Sequence, residues 1–85
     1  MSYFVYILQS LIDSTYYIGT TQDLKERLKR HNEGRSKYKK AKRPWQLIYF
    51  EEFTKRSYAT RWEKEIKSHK SRKWIENLVR MSRQT

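Results

Sequence analysis

Two short runs, Tyr3-Phe4-Val5-Tyr6-Ile7-Leu8 and Thr15-Tyr16-Tyr17-Ile18-Gly19, decide the fold. The first is aromatic and β-branched throughout and too short for a helix, so it reads as a buried strand. Gln9 to Ser14 supplies turn chemistry, with Asp13 and Ser14 next to the re-entry. The second run is then a strand closed by Gly19, near enough in sequence to pair with the first as a hairpin. Working outward, Thr20 or Thr21 can cap a helix with Asp23 in its first turn against the dipole. That helix runs to about Asn32, with Gly34 as its stop. Gly34 to Pro44 reads as a basic loop, and Trp45 to Phe53 as a third strand. Its centre, Leu47-Ile48-Tyr49-Phe50, is apolar on both faces, which suggests a central, doubly covered strand. Ser57 then caps a second helix reaching about Ser68. A third runs from about Ser71 to Met81, with Trp74, Ile75, Leu78 and Met81 on its apolar face, and residues from Ser82 are expected to fray. The order is ββαβαα: an α+β fold, one small sheet with helices packed on it.

With 85 residues the chain makes one domain, residues 1–85, with a core over about 3–80. The absence of cysteine excludes disulfide frameworks, Cys-type zinc sites and thiol nucleophiles. Tyr3 to Leu8 is too short for a secretory or spanning segment, and a soluble, cytoplasmic protein is expected. Twenty Lys and Arg against nine Asp and Glu give a formal charge of +11, which favours polyanionic partners, nucleic acid first. Disorder is the competing reading of such charge, but 15% aromatic content argues for a folded core. Arg35, Lys37, Lys39, Lys40, Lys42 and Arg43 crowd nine positions around Tyr38, with no acid between Gly34 and Phe50. A loop of this kind can track a phosphate backbone while Tyr38 stacks on a base, although a charge run is more usually a solvated face. A second cluster comprises Lys64, Lys67, Lys70, Arg72 and Lys73. Steep salt dependence and little sequence readout are expected.

The first helix carries a sharper signal. At 100° per residue, Leu24 and Leu28 mark an apolar stripe, and Arg27 and His31 lie on it, four residues apart. Lys25, Glu26, Lys29, Arg30 and Glu33 fall opposite. Either the pair sits at the rim, Arg27 laying its stem along apolar surface and His31 satisfied in the core, or the two point into a site.

Phe4-Val5-Tyr6, with Tyr6 eleven positions before the Tyr17 of Tyr17-Ile18-Gly19, and then Arg27, His31 and Glu63, resembles the GIY-YIG nuclease family. The likeness is to its small stand-alone bacterial branch. It extends through Asp23-Leu24-Lys25-Glu26-Arg27-Leu28-Lys29-Arg30-His31-Asn32 and the Pro44-Trp45 step into an aromatic strand. It ends in Ala59-Thr60-Arg61-Trp62-Glu63-Lys64, so that about residues 3 to 80 are covered. Each tripeptide is weak alone; the ordered set is specific. Two departures stand out: Phe4 where the family motif has Gly, and Thr20 where excision-repair relatives carry a Lys after the second motif.

The resemblance implies a three-stranded, mainly antiparallel sheet flanked by helices, and a divalent-metal-dependent endonuclease that hydrolyses DNA one strand per active site. It implies that Tyr6 and Tyr17 are the motif tyrosines, Gly19 the small residue admitting substrate, Arg27 the phosphate contact, and Glu63 the ligand of one Mg²⁺ or Mn²⁺. His31 falls where the family has His or Tyr. These residue types suit the reaction. Hydrolysis needs a deprotonated water, countercharge for developing oxyanions and help for the leaving oxygen. Arg27 can grip two phosphate oxygens with its planar fork. A cation near a phenol favours its ionised form, so Tyr17 is the expected base or water-orienting group, with Tyr6 assisting and His31 moving protons. Without the motif, Tyr6 and Tyr17 are ordinary strand aromatics, and Glu63 pairs with Lys67 on the helix surface, barely separated from Glu65. Two other functions compete: a catalytically weak or inactive nucleic-acid-binding module of the same fold, and a basic RNA-associated protein.

Overall fold

A computed structural model describes residues 2–33 and 42–83 of the protein. Alternation along β1 (Tyr3–Ser10) divides the core in two. Val5 and Ile7 point to one face with Tyr49, Ala59, Ile66 and Ile75; Tyr6 and Leu8 point to the other with Trp45. β1 is the middle strand: β2 (Tyr16–Thr21) and β3 (Trp45–Phe53) flank it, both antiparallel, in the order β2-β1-β3. Helix α1 (Leu24–Glu33) covers the Tyr6 and Leu8 face, while α2 (Arg56–His69) and α3 (Arg72–Arg83) cover the Val5 and Ile7 face. The described elements therefore follow the ββαβαα, α+β order.

The expectation of a central β3 is corrected. β3 is an edge strand, and its apolar run has another cause. The ladder pairs Ile7 with Tyr49 but Leu8 with Leu47, so Ile48 is one residue too many. A bulge of this kind sets two consecutive side chains toward one face. Leu47 joins the Tyr6 cluster while Ile48 and Tyr49 both join the Val5 cluster, and Phe50 beyond them is exposed.

The helix starts differ in detail from the sequence expectation. Asp23 caps α1, its carboxylate accepting the Glu26 amide at 3.0 Å, and Thr21 Oγ1 accepts the Asp23 amide at 3.1 Å just before it. α2 begins after an extended Lys55 with no side-chain cap, and Ser57 lies inside the helix. Ser71 caps α3, accepting the Trp74 amide at 3.2 Å. Met81, on the α3 apolar face, is exposed, because the core ends before the helix does. No helix among the described residues is long and apolar enough to cross a membrane.

Two polar anchors hold the sheet to its connections. Ser10, buried at the end of β1, accepts the amides of Ile12 at 3.1 Å and Asp13 at 3.4 Å and donates to the Lys42 carbonyl at 2.5 Å. Asn32, near the end of α1, clamps the backbone of Trp45: its Oδ1 accepts the amide at 2.6 Å and its Nδ2 donates to the carbonyl at 3.2 Å. The second anchor fixes the angle at which α1 crosses the sheet, and with it Arg27 and His31.

Candidate active site

Strand register creates the site. Tyr6 pairs across from Gly19, and Tyr17 lies two residues earlier on β2, so both phenols lie on the α1 face. β2 is an edge strand, leaving its outer side open. From above, α1 presents the stripe read from the wheel: Leu24, Arg27 and Leu28 are half-buried and His31 is buried, while Lys25, Glu26, Lys29 and Arg30 are exposed. From the opposite layer, α2 packs on β1 and β2 through Ala59 and Ile66, which carries Glu63 and Lys67 to the β2 edge. An open cleft of about 470 Å³ results, with Tyr6, Tyr17, Gly19, Arg27, Glu63 and Lys67 on its walls.

Gly19 is required by space, not by backbone dihedral. A Cβ there would lie 2.8 Å from the Tyr6 hydroxyl and 3.3 Å from Tyr17 Cε1. The phenols thus reach over the glycine, and any side chain would displace them.

His31 does not line the cleft. It lies behind the phenols, with Nε2 3.3 Å from the Tyr6 hydroxyl and its ring centroid 4.5 Å from that of Tyr17. Trp45 backs the histidine at 6.2 Å and Tyr17 at 6.3 Å, both edge-to-face. His31 therefore reaches the cleft only through the tyrosines. Burial pushes the Tyr6 phenol well above its ordinary value, the neighbouring Tyr17 adds to this, and Arg27 opposes it. Tyr6 is a proton-bearing hydroxyl at neutral pH. Glu63 also acts on Tyr6, so the guanidinium and the carboxylate both bear electrostatically on one phenol.

The structure separates the two glutamates that the helix wheel left ambiguous. Glu63 has a side chain only 19% exposed and accepts from Lys67 Nζ at 2.6 Å. Glu65 points to solvent and faces His69, which stacks on Trp74 at 3.8 Å. Asn77 on α3 accepts from Arg80 and is not part of the cleft wall.

Among the described residues no three His, Cys, Asp or Glu side chains gather into a cation cage. The donor set fits a hard divalent cation differently: one half-shielded carboxylate in a wet cleft leaves most ligand positions to water and substrate oxygens, as Mg²⁺ favours. Glu63 would be the protein's direct ligand.

Of the basic loop, Arg35, Lys37, Tyr38, Lys39 and Lys40 lie outside the described residues. Lys42 places its ammonium on the Asp13 carboxylate and donates to Thr15 Oγ1 at 3.3 Å; Arg43 donates to the Glu33 carbonyl at 3.3 Å. One cleft residue was not singled out from sequence, and a second was noted only as a cap candidate and a departure from the family motif. Tyr16 and Thr20 line the wall, and the Arg72 guanidinium lies 4.7 Å over the Tyr16 ring while donating to the Ser14 carbonyl at 3.0 Å. The paired Tyr16-Tyr17 was the available signal, since consecutive strand residues face opposite layers and only an edge strand offers both to one cleft.

Residues 2–77 match the family model described as the GIY-YIG catalytic domain. A UPF0213 protein of Halalkalibacterium halodurans is 39% identical over 80 residues, covering 93% of this chain and 83% of that one. A UPF0213 protein of Staphylococcus aureus is 38% identical over 73 residues, covering 85% and 88% respectively. The solution NMR structure of a UPF0213 protein from Bacillus halodurans superposes with a TM-score of 0.60 at 38% identity, covering 95% of this chain and 85% of that one. Nucleases with this domain generally depend on a divalent metal and act on nucleic acid. With its motif tyrosines, arginine and glutamate on one cleft, the chain belongs to the GIY-YIG family, among its small UPF0213 members.

Proposed function

We propose that the protein is a divalent-metal-dependent endonuclease that hydrolyses phosphodiester bonds of DNA, one strand per cleft. The observation that carries this reading is the convergence of Tyr6, Tyr17, Arg27 and Glu63 on one open cleft from both strands of the hairpin and two opposed helices. A +11 chain with this cleft at a sheet edge suits an extended anionic substrate passing across β2.

Each side chain has a role that its surroundings support. Arg27 binds two non-bridging oxygens of the scissile phosphate and neutralises the charge that grows on them. Tyr17, the shallower phenol, orients the attacking water and takes its proton. Tyr6 stays protonated and donates to the phosphate or to the Tyr17 oxygen. His31 holds the Tyr6 hydroxyl from behind and is a positioning residue. Glu63 would hold Mg²⁺ or Mn²⁺, which when bound supplies Lewis-acid stabilisation of phosphate and leaving oxygen. Water adds to phosphorus as its proton passes to Tyr17 reacting as the phenolate, the P–O bond to the leaving strand breaks, the leaving oxygen takes a proton from solvent water, and Tyr17 returns its proton to solvent, so atoms and charge balance.

A nicking assay on supercoiled plasmid and on single-stranded DNA with Mg²⁺ or Mn²⁺ tests the reading. Metal-dependent cleavage should drop about 10²-fold or more in Tyr17→Phe, and should vanish in Glu63→Ala. A second reading, a binding module with little or no catalysis, is favoured by Lys67 sitting on Glu63. Binding without cleavage under every metal tried would select it, and preference for structured RNA over DNA would select an RNA-associated role.

A further inference from the structure

We propose that Lys67 is an exchangeable cation of the cleft. It neutralises Glu63 while no metal is bound, yields that carboxylate to the divalent ion, and then contacts a phosphate oxygen of the substrate strand. The inference rests on the proposed role of Glu63 and goes beyond it by coupling metal binding to substrate binding through one lysine.

The geometry separates this pair from an ordinary helix-surface ion pair. Glu63 and Lys67 lie one turn apart, and Lys67 Nζ donates to Glu63 Oε2 at 2.6 Å. Both line the cleft that holds Tyr6, Tyr17 and Arg27. The two partners are unequal: the carboxylate is 19% exposed and the lysine side chain 52%. The acid is fixed in the wall while the base stands at the mouth on a flexible stem. A half-shielded carboxylate without a countercharge is costly, which keeps Lys67 in place in the absence of metal. A divalent ion on the same carboxylate removes that need and repels the ammonium. An ammonium released at the mouth lines the same cleft as Arg27, across from it, where a phosphate would present its oxygens. Lysine suits this duty better than arginine, because a single point charge on four methylenes can change partners without losing a bidentate geometry. Some other described cations have settled partners away from the cleft acid, as Lys42 does with Asp13 and Arg72 with Tyr16 and Ser14.

Two measurements test the inference without any activity readout. The first titrates Mn²⁺ alone into the full chain by calorimetry. Lys67→Met should bind Mn²⁺ roughly three- to tenfold tighter than the natural sequence, the factor by which a competing ion pair weakens it. Lys64→Met removes the same charge one turn back on an exposed position and should change the affinity far less. Equal gains in both variants would mean a general charge effect and would overturn the exchange. If Glu63→Gln binds Mn²⁺ as well as the natural sequence, the metal role of Glu63 falls, and this inference with it. If Glu63→Gln loses the ion while Lys67→Met behaves as the natural sequence, only the inference falls.

The second is a metal-free binding cycle on a single-stranded oligonucleotide. Lys67→Met should cost little affinity in the natural background, where Glu63 occupies the lysine. In the Glu63→Gln background it should cost several-fold and lower the salt slope by about 0.7, the value of one phosphate contact. The same cost in both backgrounds would overturn the exchange.

Discussion

At the scale of single residues, the two cleft phenols are chemically unlike although both sit on one sheet face. Tyr6 is 1% exposed, and burial, reinforced by Tyr17, pushes its ionisation above the ordinary value of 10.0. The sign of its effect on stability follows. Below pH 10 the phenol is protonated in folded and unfolded chains alike, and its contribution is complete. Above that the unfolded chain releases the proton while the folded chain retains it, so stability falls as pH rises toward the elevated folded value. Tyr6→Phe lacks this dependence. The melting-temperature gap between the natural sequence and Tyr6→Phe should therefore narrow between pH of about 9 and 11, on top of a decline both share from Tyr49, whose phenol burial also raises. Parallel curves would show that Tyr6 is not desolvated as described. Gly19 is the other residue with a sharp requirement. Gly19→Ala would set a methyl 2.8 Å from the Tyr6 hydroxyl, and that oxygen ends a ring packed in the core rather than a flexible tip. The expected result is a stability loss of about 1–3 kcal/mol from overpacking and at least tenfold lower nuclease rate, read by thermal unfolding and plasmid nicking. Full activity in Gly19→Ala would contradict the placement of Tyr6 over the glycine.

Among elements, what was legible from sequence was whatever a local period or cap encodes, and what was not depended on partners distant in the chain. The hairpin, the α1 stripe of Leu24, Arg27, Leu28 and His31, and the Ser71 start of α3 all follow from nearby residues. Two consecutive inward residues look alike in a strand covered on both faces and in one carrying a bulge, and only pairing of Ile7 with Tyr49 and Leu8 with Leu47 distinguishes them. The cap of α2 was misread for a related reason, although the expected span falls close to the observed one: Lys55 makes no side-chain cap, and burial of Ala59 and Ile66 against the sheet fixes the helix instead. Its end, expected at about Ser68 and observed at His69, carries no glycine signal, since Lys70 takes the left-handed turn at φ 49° where glycine is usual. Glu63 shows the same limit at the site. Its helix wheel could not choose it over Glu65; the motif chose it, and the packing of α2 on β2 places it on the cleft. Asn32 is the residue whose duty a motif string conceals most completely. Next to His31 it looks like part of the site, yet both ends of its amide hold the Trp45 backbone. Asn32→Ala should cost about 1–3 kcal/mol, the price of leaving a half-buried amide unpaired. Asn32→Asp keeps the acceptor for the Trp45 amide and loses the donor, so it should fall between. Chemical denaturation of both variants checks this, and a cost in nuclease rate with no loss of stability would reassign Asn32 to the chemistry.

Over the whole molecule, the excess of twenty cations over nine acids can act in two ways, bracing the fold or binding substrate, and the described residues include clear cases of the first. Some cations brace the fold. Lys42 ties the start of the β3 connection to Asp13 and Thr15 at the hairpin tip, Arg43 holds the last carbonyl of α1, and Arg72 joins α3 to Ser14. The Lys42 contact, with those of Thr15, holds the Asp13 carboxyl well below the ordinary carboxylate range, so it stays ionised at any pH where the protein would meet nucleic acid. A cation committed in this way has little left to give a phosphate. The contacts proposed for nucleic acid are Arg35, Lys37, Lys39 and Lys40, on their sequence pattern alone, and Arg27 and Lys67 at the cleft, and counterion release makes the division measurable. Each phosphate neutralised contributes about 0.9 to the slope of log affinity against log salt on duplex DNA and about 0.7 on a single strand. Replacing the four loop cations together with serine should lower the slope by about 3.6 on duplex DNA and about 2.8 on a single strand. Replacing Lys42 and Arg43 together with methionine should do the opposite, lowering the melting temperature and changing the slope by less than about one. Equal slope losses per charge in the two variants would mean that the bracing contacts open on binding, and the separation between cations that hold the fold and cations that hold the substrate would fail.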